Sequence, residues 1–141
     1  MKWKKRVGAI VFVLVGIILA LAFFLPRNTE IPALAMGCYR SENAPDIAVR
    51  SDSLNVDQGD IGETSASYQK DNIGHALLTA KPLLLKPVAG GRYKFFLDDR
   101  AARYVRFSPG PPAALEIIAA DGMTVVYRRV DCGADLGAKV R

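Results

Sequence analysis

An uninterrupted apolar run near the N-terminus constrains this chain more than any other feature of its sequence. Residues 7–25 read VGAIVFVLVGIILALAFFL and contain no charged side chain. A helix of about 19 residues, rising about 1.5 Å per residue, is just long enough to cross a hydrocarbon core of about 30 Å. No later apolar stretch is comparable, so the sequence predicts one transmembrane helix, a signal anchor, over residues 7–25.

The charges on either side of this run predict its orientation. Residues 1–6 include four basic side chains and no acidic one, whereas on the other side Arg27 is balanced by Glu30. The positive flank of a membrane span stays in the cytoplasm. We therefore expect residues 1–6 to form a cytoplasmic head at a bacterial inner membrane, with the rest of the chain in the periplasm.

Removal of the apolar run by signal peptidase is an alternative. Ala33 and Ala35 have the small-x-small spacing of a cleavage site. However, the run exceeds the roughly 7 to 15 apolar residues of a signal peptide, and Pro26 and Pro32 lie between its end and that site. These features favour retention of the anchor and leave cleavage after Ala35 open.

The chain has two cysteines, Cys38 and Cys132. In an oxidising compartment an even pair at the two ends of one small domain predicts a disulfide. Cys38 lies too far beyond the apolar run for a lipid anchor, and two cysteines with the lone His75 are too few for a zinc site. No metal or cofactor is predicted. A bridge closing about 95 residues is worth on the order of 4 kcal/mol and requires Cα atoms within about 7 Å.

Short runs with period-two alternation fill the region between the cysteines, and no helical period follows residue 25. The sequence predicts strands at 46–50, 53–57, 64–70, 75–79, 83–88, 92–97, 103–108, 114–120 and 123–130. Hairpins are predicted within 46–57, within 92–108, and around Asp121-Gly122, where Asp-Gly indicates a type I′ turn. Ile47, Val49, Leu54 and Val56 are expected to point inward.

This pattern predicts an all-β fold, a small antiparallel barrel or sandwich of about seven to nine short strands. The domain is expected to occupy residues 36–133. Residues 26–35 are then a linker and residues 134–141 a flexible tail.

The net charge of +5 reflects topology rather than a nucleic-acid partner. From residue 36 onward the chain holds 14 basic and 13 acidic residues. The basic excess therefore lies almost entirely in the head, and a nucleic-acid partner is not predicted.

Motifs for catalysis or metal binding are weak. The acidic loop 57–63 has Gly59 and Ile61 where an EF-hand needs ligands. His75 is the only imidazole, and Asp71, four residues away on a strand, points elsewhere. The sequence predicts a protein that is not an enzyme. An envelope hydrolase, the weaker alternative, requires His75 to meet a carboxylate and a nucleophile in one cleft.

Two features favour partner binding. Lys81-Pro82 and Lys86-Pro87 frame an apolar segment, which indicates an edge strand able to accept a partner strand, or a core strand whose prolines block unwanted pairing. Basic residues then alternate with aromatic ones over 92–107, which suits an acidic protein, an anionic lipid or a glycan. The candidate partner-binding residues are Lys81, Leu83, Leu84, Leu85, Lys86, Arg92, Lys94, Arg103 and Arg106.

Gly37-x-Tyr39 followed by a meander of short strands resembles the lipocalin-type barrels over a handful of residues, none of them a functional position. The resemblance implies a barrel that holds a lipid or another apolar small ligand. The sequence thus predicts a membrane-anchored binding or assembly subunit of the cell envelope, with such a ligand-binding barrel as the alternative.

Overall fold

The computed structural model describes residues 15–17 and 30–133 of the 141-residue chain, without the side chain of residue 71. The predicted cytoplasmic head, most of the predicted transmembrane helix and the predicted tail lie outside these residues. Within the described ranges, no helix has the length and apolar character needed to span a membrane.

Residues 37–130 contain ten β-strands rather than the predicted seven to nine. They are β1 (Gly37–Arg40), β2 (Ile47–Val49), β3 (Ser53–Val56), β4 (Gly62–Asp71), β5 (Gly74–Thr79), β6 (Leu83–Val88), β7 (Arg92–Leu97), β8 (Tyr104–Ser108), β9 (Ala114–Ile118) and β10 (Thr124–Val130).

Eight of these strands form a closed antiparallel barrel, which confirms the predicted all-β fold and decides between the predicted barrel and sandwich in favour of the barrel. The order around the barrel is β1-β10-β9-β8-β5-β4-β3-β2, and β6 pairs only with β7. Each barrel strand therefore pairs with its neighbour in sequence, with two exceptions: the β6–β7 hairpin is inserted between β5 and β8, and the first strand, β1, closes the barrel against the last, β10.

Alternation along the strands fills the barrel interior. Ile47, Val49, Leu54 and Val56 are all buried, as the sequence predicts. Larger side chains from the other strands complete the core; they include Tyr39, Leu77, Phe107, Leu115 and Tyr127. An eight-stranded barrel has an interior just wide enough for side chains to fill, and here they do.

The predicted disulfide between Cys38 and Cys132 is confirmed. Their Cα atoms are 5.3 Å apart, and the bond joins the first barrel strand to the residues that follow the last one. Cys38 packs with Ala48 and Val130 in a small cluster of its own, separate from the main core. The bond therefore ties β1 to the end of β10 from outside the lumen.

The β6–β7 hairpin, here called the cap, closes one end of the barrel. Leu85 and Phe95 are fully buried and belong to the barrel core. The side chain of Gln58, in the β3–β4 loop, donates to the carbonyl of Phe95 at 2.8 Å and accepts from its N–H at 2.9 Å. The Ala120 N–H, in the β9–β10 loop, donates to the Leu85 carbonyl at 2.8 Å. Loops of the barrel rim thus hold both strands of the cap.

Residues 31–35, here called the base segment, close the opposite end. They lie within the predicted linker, yet Ile31 and Ala35 are buried in the main core. The Ile31 N–H donates to the Ser51 carbonyl at 2.9 Å, and the Tyr39 hydroxyl donates to the Ala35 carbonyl at 2.8 Å. The folded body therefore includes residues before β1.

The predicted hairpin within 92–108 is wrong. Strands 92–97 and 103–108 do not form a hairpin, because β7 pairs with β6 and β8 pairs with β5 and β9. Gly90 and Gly91 have φ values of 81° and 71° and provide the tight turn of the cap instead. Residues 98–103 return the chain from the cap to the barrel.

The β9–β10 hairpin is confirmed, but its turn is not type I′. That turn needs positive φ at both central residues, and no described residue other than glycine has positive φ. The Gly122 N–H donates to the Ala119 carbonyl, and the Ala119 N–H donates to the Met123 carbonyl. The loop is thus a three-residue loop in which Gly122, with φ of 81°, supplies the left-handed position.

Candidate functional site

Side chains fill the barrel interior, so a functional site is expected on the outer surface. Tyr39, Phe95, Phe107 and Tyr127 are buried inside the barrel, and the cap and the base segment close its two ends. A packed lumen counts against the lipid-sized ligand that the resemblance to lipocalin-type barrels implies.

The cap carries six of the nine predicted partner-binding residues, on two different faces. Leu83 and Leu85 face the barrel and are buried, so they are core residues. The opposite face is formed by alternate positions of both strands and is accessible to solvent to varying degrees. Its members are Leu84, Lys86, Val88, Arg92, Lys94 and Phe96.

The remaining three predicted residues lie elsewhere. Lys81 precedes the cap, and its Nζ donates to the Glu63 carbonyl at 3.1 Å, so it links the cap to β4. Arg103 lies just before β8, with its backbone carbonyl bonded to the Thr79 N–H. Arg106 is exposed on the outer face of β8. The structure therefore brings together Leu84, Lys86, Arg92 and Lys94, and places Arg106 beside the same surface.

The edges of the cap are partly occupied by the barrel itself. Pro87 lies opposite Tyr93, whose N–H points away from it and donates to the Asn43 carbonyl at 2.7 Å. The missing N–H of Pro87 therefore faces the outer edge of β6, where no ladder bond is lost. The Leu85 carbonyl on that edge already accepts a hydrogen bond from Ala120. This counts against the prediction that β6 accepts a partner strand at this edge.

A continuous row of large apolar side chains crosses from the cap to the barrel on the outer surface. Leu84 lies opposite Phe96 on the cap, and it lines one small cleft together with Tyr104 and Ile118. The β8–β9 pairing ends at Arg106–Glu116, and beyond it Tyr104 and Ile118 line that same cleft. We call these four residues the apolar ridge. Phe96 is 39% exposed, Tyr104 49% and Ile118 60%.

Charged side chains flank the apolar ridge. The ammonium group of Lys86 lies 5.4 Å from the centroid of the Phe96 ring and 3.8 Å from Asp98. A hydrogen bond from the Arg100 backbone and a second from its side chain, more than the nearby Lys86 charge, hold the pKa of Asp98 below its usual value. Arg106 is paired with Glu116 at 3.8 Å.

The surplus of positive charge comes from other residues of this surface. Arg92, Lys94 and Arg103 are exposed, and none forms a salt bridge with a described acidic side chain. The unpaired cations beside the apolar ridge thus outnumber the unpaired acids, and this surface favours an acidic partner.

The candidate residues chosen from the sequence do not include Phe96, Tyr104 and Ile118, although Phe96 and Tyr104 lie in the basic–aromatic stretch 92–107. Each occupies the outer position of a strand whose inner positions are also apolar, such as Val105 and Phe107 beside Tyr104. A large apolar residue out of phase with the alternation was the available signal. It could not be used without knowing which phase of each strand faces the core.

His75 and the acidic loop 57–63, the candidates for catalysis or metal binding, contact neighbouring residues of the fold. The Tyr68 hydroxyl contacts Nδ1 of His75, and Phe107 meets the same ring edge-on. His75 and Ser108 share a cleft of about 530 Å³, but its described lining includes no carboxylate. In the acidic loop 57–63, Gln58 holds the cap. Over the described residues, no group of three His, Cys, Asp or Glu side chains could hold a metal ion.

No protein-family model, no curated protein and no solved structure matches this chain.

Proposed function

We propose that this chain is a membrane-anchored, non-enzymatic binding subunit of the bacterial envelope that docks a protein partner on the apolar ridge. The observation that carries the proposal is a row of large apolar side chains on the outside of a packed barrel, of which Phe96, Tyr104 and Ile118 are exposed and Leu84 is half-buried. Contiguous exposed apolar surface is characteristic of interaction sites on soluble domains.

The composition of the ridge favours a protein partner. Leu84, Phe96, Tyr104 and Ile118 offer aromatic and aliphatic anchors of the kind that dominate interface energetics. Lys94 and then Arg92 follow Phe96 along the same face of the cap, and Arg103 directly precedes Tyr104 in the chain. We therefore expect a partner with an apolar centre and an acidic rim, since complementary charge sets specificity and the rate of encounter.

The base segment supports retention of the anchor. A chain cut after Ala35 would lack Ile31 and Ala35, which are buried in the main core, and would leave the Tyr39 hydroxyl without its acceptor. A processed chain would therefore lose side chains that close its own barrel. This supports a signal anchor, with the domain on the periplasmic side.

Site-specific photocrosslinking in native membranes tests the proposal. A photoreactive phenylalanine analogue placed at Phe96 or at Ile118 is expected to capture the same envelope protein. The analogue at Ser65, an exposed position of β4 away from the ridge, serves as the control. Ile118→Glu should reduce capture at position 96 at least tenfold, and Ser65→Glu should leave it unchanged.

Different outcomes contradict different parts of the proposal. Capture from Ser65 equal to that from Phe96 would exclude the ridge as the docking surface. Release of the full chain by carbonate extraction would exclude the membrane anchor. An ordered lipid copurifying inside the barrel would favour the ligand-binding alternative.

A further inference from the structure

We infer that the base of the barrel rests on the membrane that anchors the chain, with Leu34 and Ile73 inserted at the boundary between headgroups and acyl chains. The inference depends on the proposed anchor and adds an orientation for the barrel above it. It concerns the barrel end opposite the cap.

The length of chain between the predicted span and the folded body restricts where the barrel can be. Ile31 is fixed by its backbone bond to Ser51, and only five residues separate it from Leu25, the last residue of the predicted span. Six steps of about 3.5 Å reach at most roughly 21 Å. Crossing the headgroup layer uses about 5–8 Å of this. Ile31, and the barrel end to which it belongs, must therefore lie within roughly 15 Å of the headgroups.

That end of the barrel exposes apolar side chains. Ile73 is 88% exposed at the tip of the β4–β5 hairpin, and Leu34 is 49% exposed in the base segment. Pro109 lines one cleft with Ile73 and a second cleft with Leu34, so the loop 109–112 connects the two. Leu34 and Ile73 thus belong to one rim facing the side from which the anchor enters.

The local sequence supports insertion rather than chance exposure. Two-residue hairpin tips are normally polar or glycine, because they are solvated, yet position 73 holds isoleucine beside Asn72. The Arg129 guanidinium donates to the Leu34 carbonyl at 3.2 Å and fixes that part of the base segment. Rim charges have both signs, with Lys70 and Arg129 against Asp52 and Asp131. Contact with the bilayer is therefore apolar and depends little on salt.

The orientation has a consequence for the cap. The ten residues of β4 rise about 3.3 Å each along a strand tilted by about 40°, so the barrel is on the order of 20 Å tall. This exceeds the Debye length of about 8 Å at physiological ionic strength. Lys86, Arg92 and Lys94 on the cap are thus too far from the anchoring bilayer to bind its headgroups. The sequence leaves an acidic protein, an anionic lipid and a glycan open as partners. The base of the barrel is suited to contact lipid, and the cap is suited to bind a protein.

Fluorescent labelling of the full chain in phosphatidylcholine vesicles tests the inference. The described part of the chain has no free cysteine, so Ile73→Cys and Leu34→Cys each add a single reactive thiol for an environment-sensitive dye. Both labelled positions should show a blue-shifted emission and quenching by lipids that are spin-labelled near the headgroup. Labels at Phe96→Cys and Ser65→Cys are controls and should remain solvent-like. The pattern should be the same in 0.1 M and 1 M salt, because salt screens contacts between charges and not contacts between apolar groups.

The outcomes separate this inference from the proposed function. If the chain floats with the vesicles but labels at 73 and 34 stay solvent-like, the anchor stands and the orientation is wrong. Quenching at 96 instead of 73 also overturns the orientation. If the folded chain does not float with the vesicles, the anchor and the orientation both fail. In the Leu34→Cys protein, Ile73→Asp should at least halve quenching of the label without preventing flotation.

Discussion

The two ends of the barrel are closed by different means, and the difference shows which parts of the chain the fold depends on. The cap belongs to the chain between β5 and β8 and is held by backbone-directed bonds from Gln58 and Ala120. The base is closed by residues that precede β1, and the disulfide lies at that end. One end is closed by a hairpin between two barrel strands, and the other depends on residues that precede the first strand and on a covalent bond.

The largest expected effect comes from removing the disulfide at the base. Cys38→Ala with Cys132→Ala opens a loop with a sequence separation of 94 residues. In the chain-entropy model a loop of this size is worth about 4 to 5 kcal/mol. Urea unfolding of the protein should show that loss. Reductant should destabilise the native protein equally and leave the double variant unchanged, and a loss below 1 kcal/mol would mean that the base does not need the bond.

The cap should tolerate truncation less well than the base segment. Phe95 is fully buried and Ile31 is 3% exposed, so both leave cavities when shortened to alanine. We expect about 3 to 4 kcal/mol for Phe95→Ala and about 2 kcal/mol for Ile31→Ala, measured by urea unfolding. Phe96→Ala, on the outer face of the same strand, is the matched control and should cost under 0.5 kcal/mol, as for ordinary surface positions. Equal losses for Phe95→Ala and Phe96→Ala would contradict insertion of the cap.

Gln58 provides the next sharpest test of the cap. Its side chain satisfies both the N–H and the carbonyl of Phe95, as a neighbouring strand would. Gln58→Ala leaves two partly buried backbone groups without partners and should cost about 1 to 3 kcal/mol. Hydrogen exchange at the Phe95 amide should accelerate in this variant. Gln69→Ala, the same change at an exposed position of β4, is the control. An unchanged exchange rate in Gln58→Ala would show that the Gln58 side chain does not hold the cap.

Much of the fold follows from local pattern, and the corrected parts do not. Alternation correctly predicts the buried positions of β2 and β3, because in each strand the predicted apolar positions share one face and that face lines the barrel interior. The β6–β7 and β5–β8 pairings depend on where the cap lies, and a hairpin 92–108 was an equally consistent pattern. Gly90-Gly91 was the overlooked signal. The burial of Ile31 could not be predicted either, since one isoleucine among prolines has no periodicity.

The candidate site was predictable only in part for the same reason. Lys86, Arg92 and Lys94 lie on the exposed face of the cap, but Leu83 and Leu85 are buried, and only the choice of face distinguishes them from Leu84. The apolar ridge joins residues from four different strands. No local window of sequence contains it.

Two buried tyrosines provide a finer comparison within the core. The Tyr39 hydroxyl donates to the Ala35 carbonyl of the base segment, whereas the Tyr127 hydroxyl is buried with no hydrogen-bond partner among the described residues. Removing a satisfied hydroxyl costs about 0.5 to 1.5 kcal/mol, and removing an unsatisfied one is neutral or stabilising. At pH 7 we therefore expect Tyr39→Phe to lose about 1 kcal/mol in urea unfolding and Tyr127→Phe to lose nothing.

Alkaline pH should separate the two variants further. Burial raises the pKa of Tyr127, with a smaller contribution from the charge of Asp46, and burial raises that of Tyr39 against an opposing contribution from Arg129. A raised folded pKa stabilises the barrel fully below the unfolded value of about 10, and this stabilisation is lost as the pH rises through the folded value. Between pH 10 and 11 the native protein should lose up to about 1.4 kcal/mol per affected tyrosine. Tyr127→Phe should remove the larger share of that loss. A loss of 1 kcal/mol or more for Tyr127→Phe at pH 7 would mean that the Tyr127 hydroxyl has a hydrogen-bond partner, such as a buried water. The contrast between Tyr39, which binds the base segment, and Tyr127 would then be wrong.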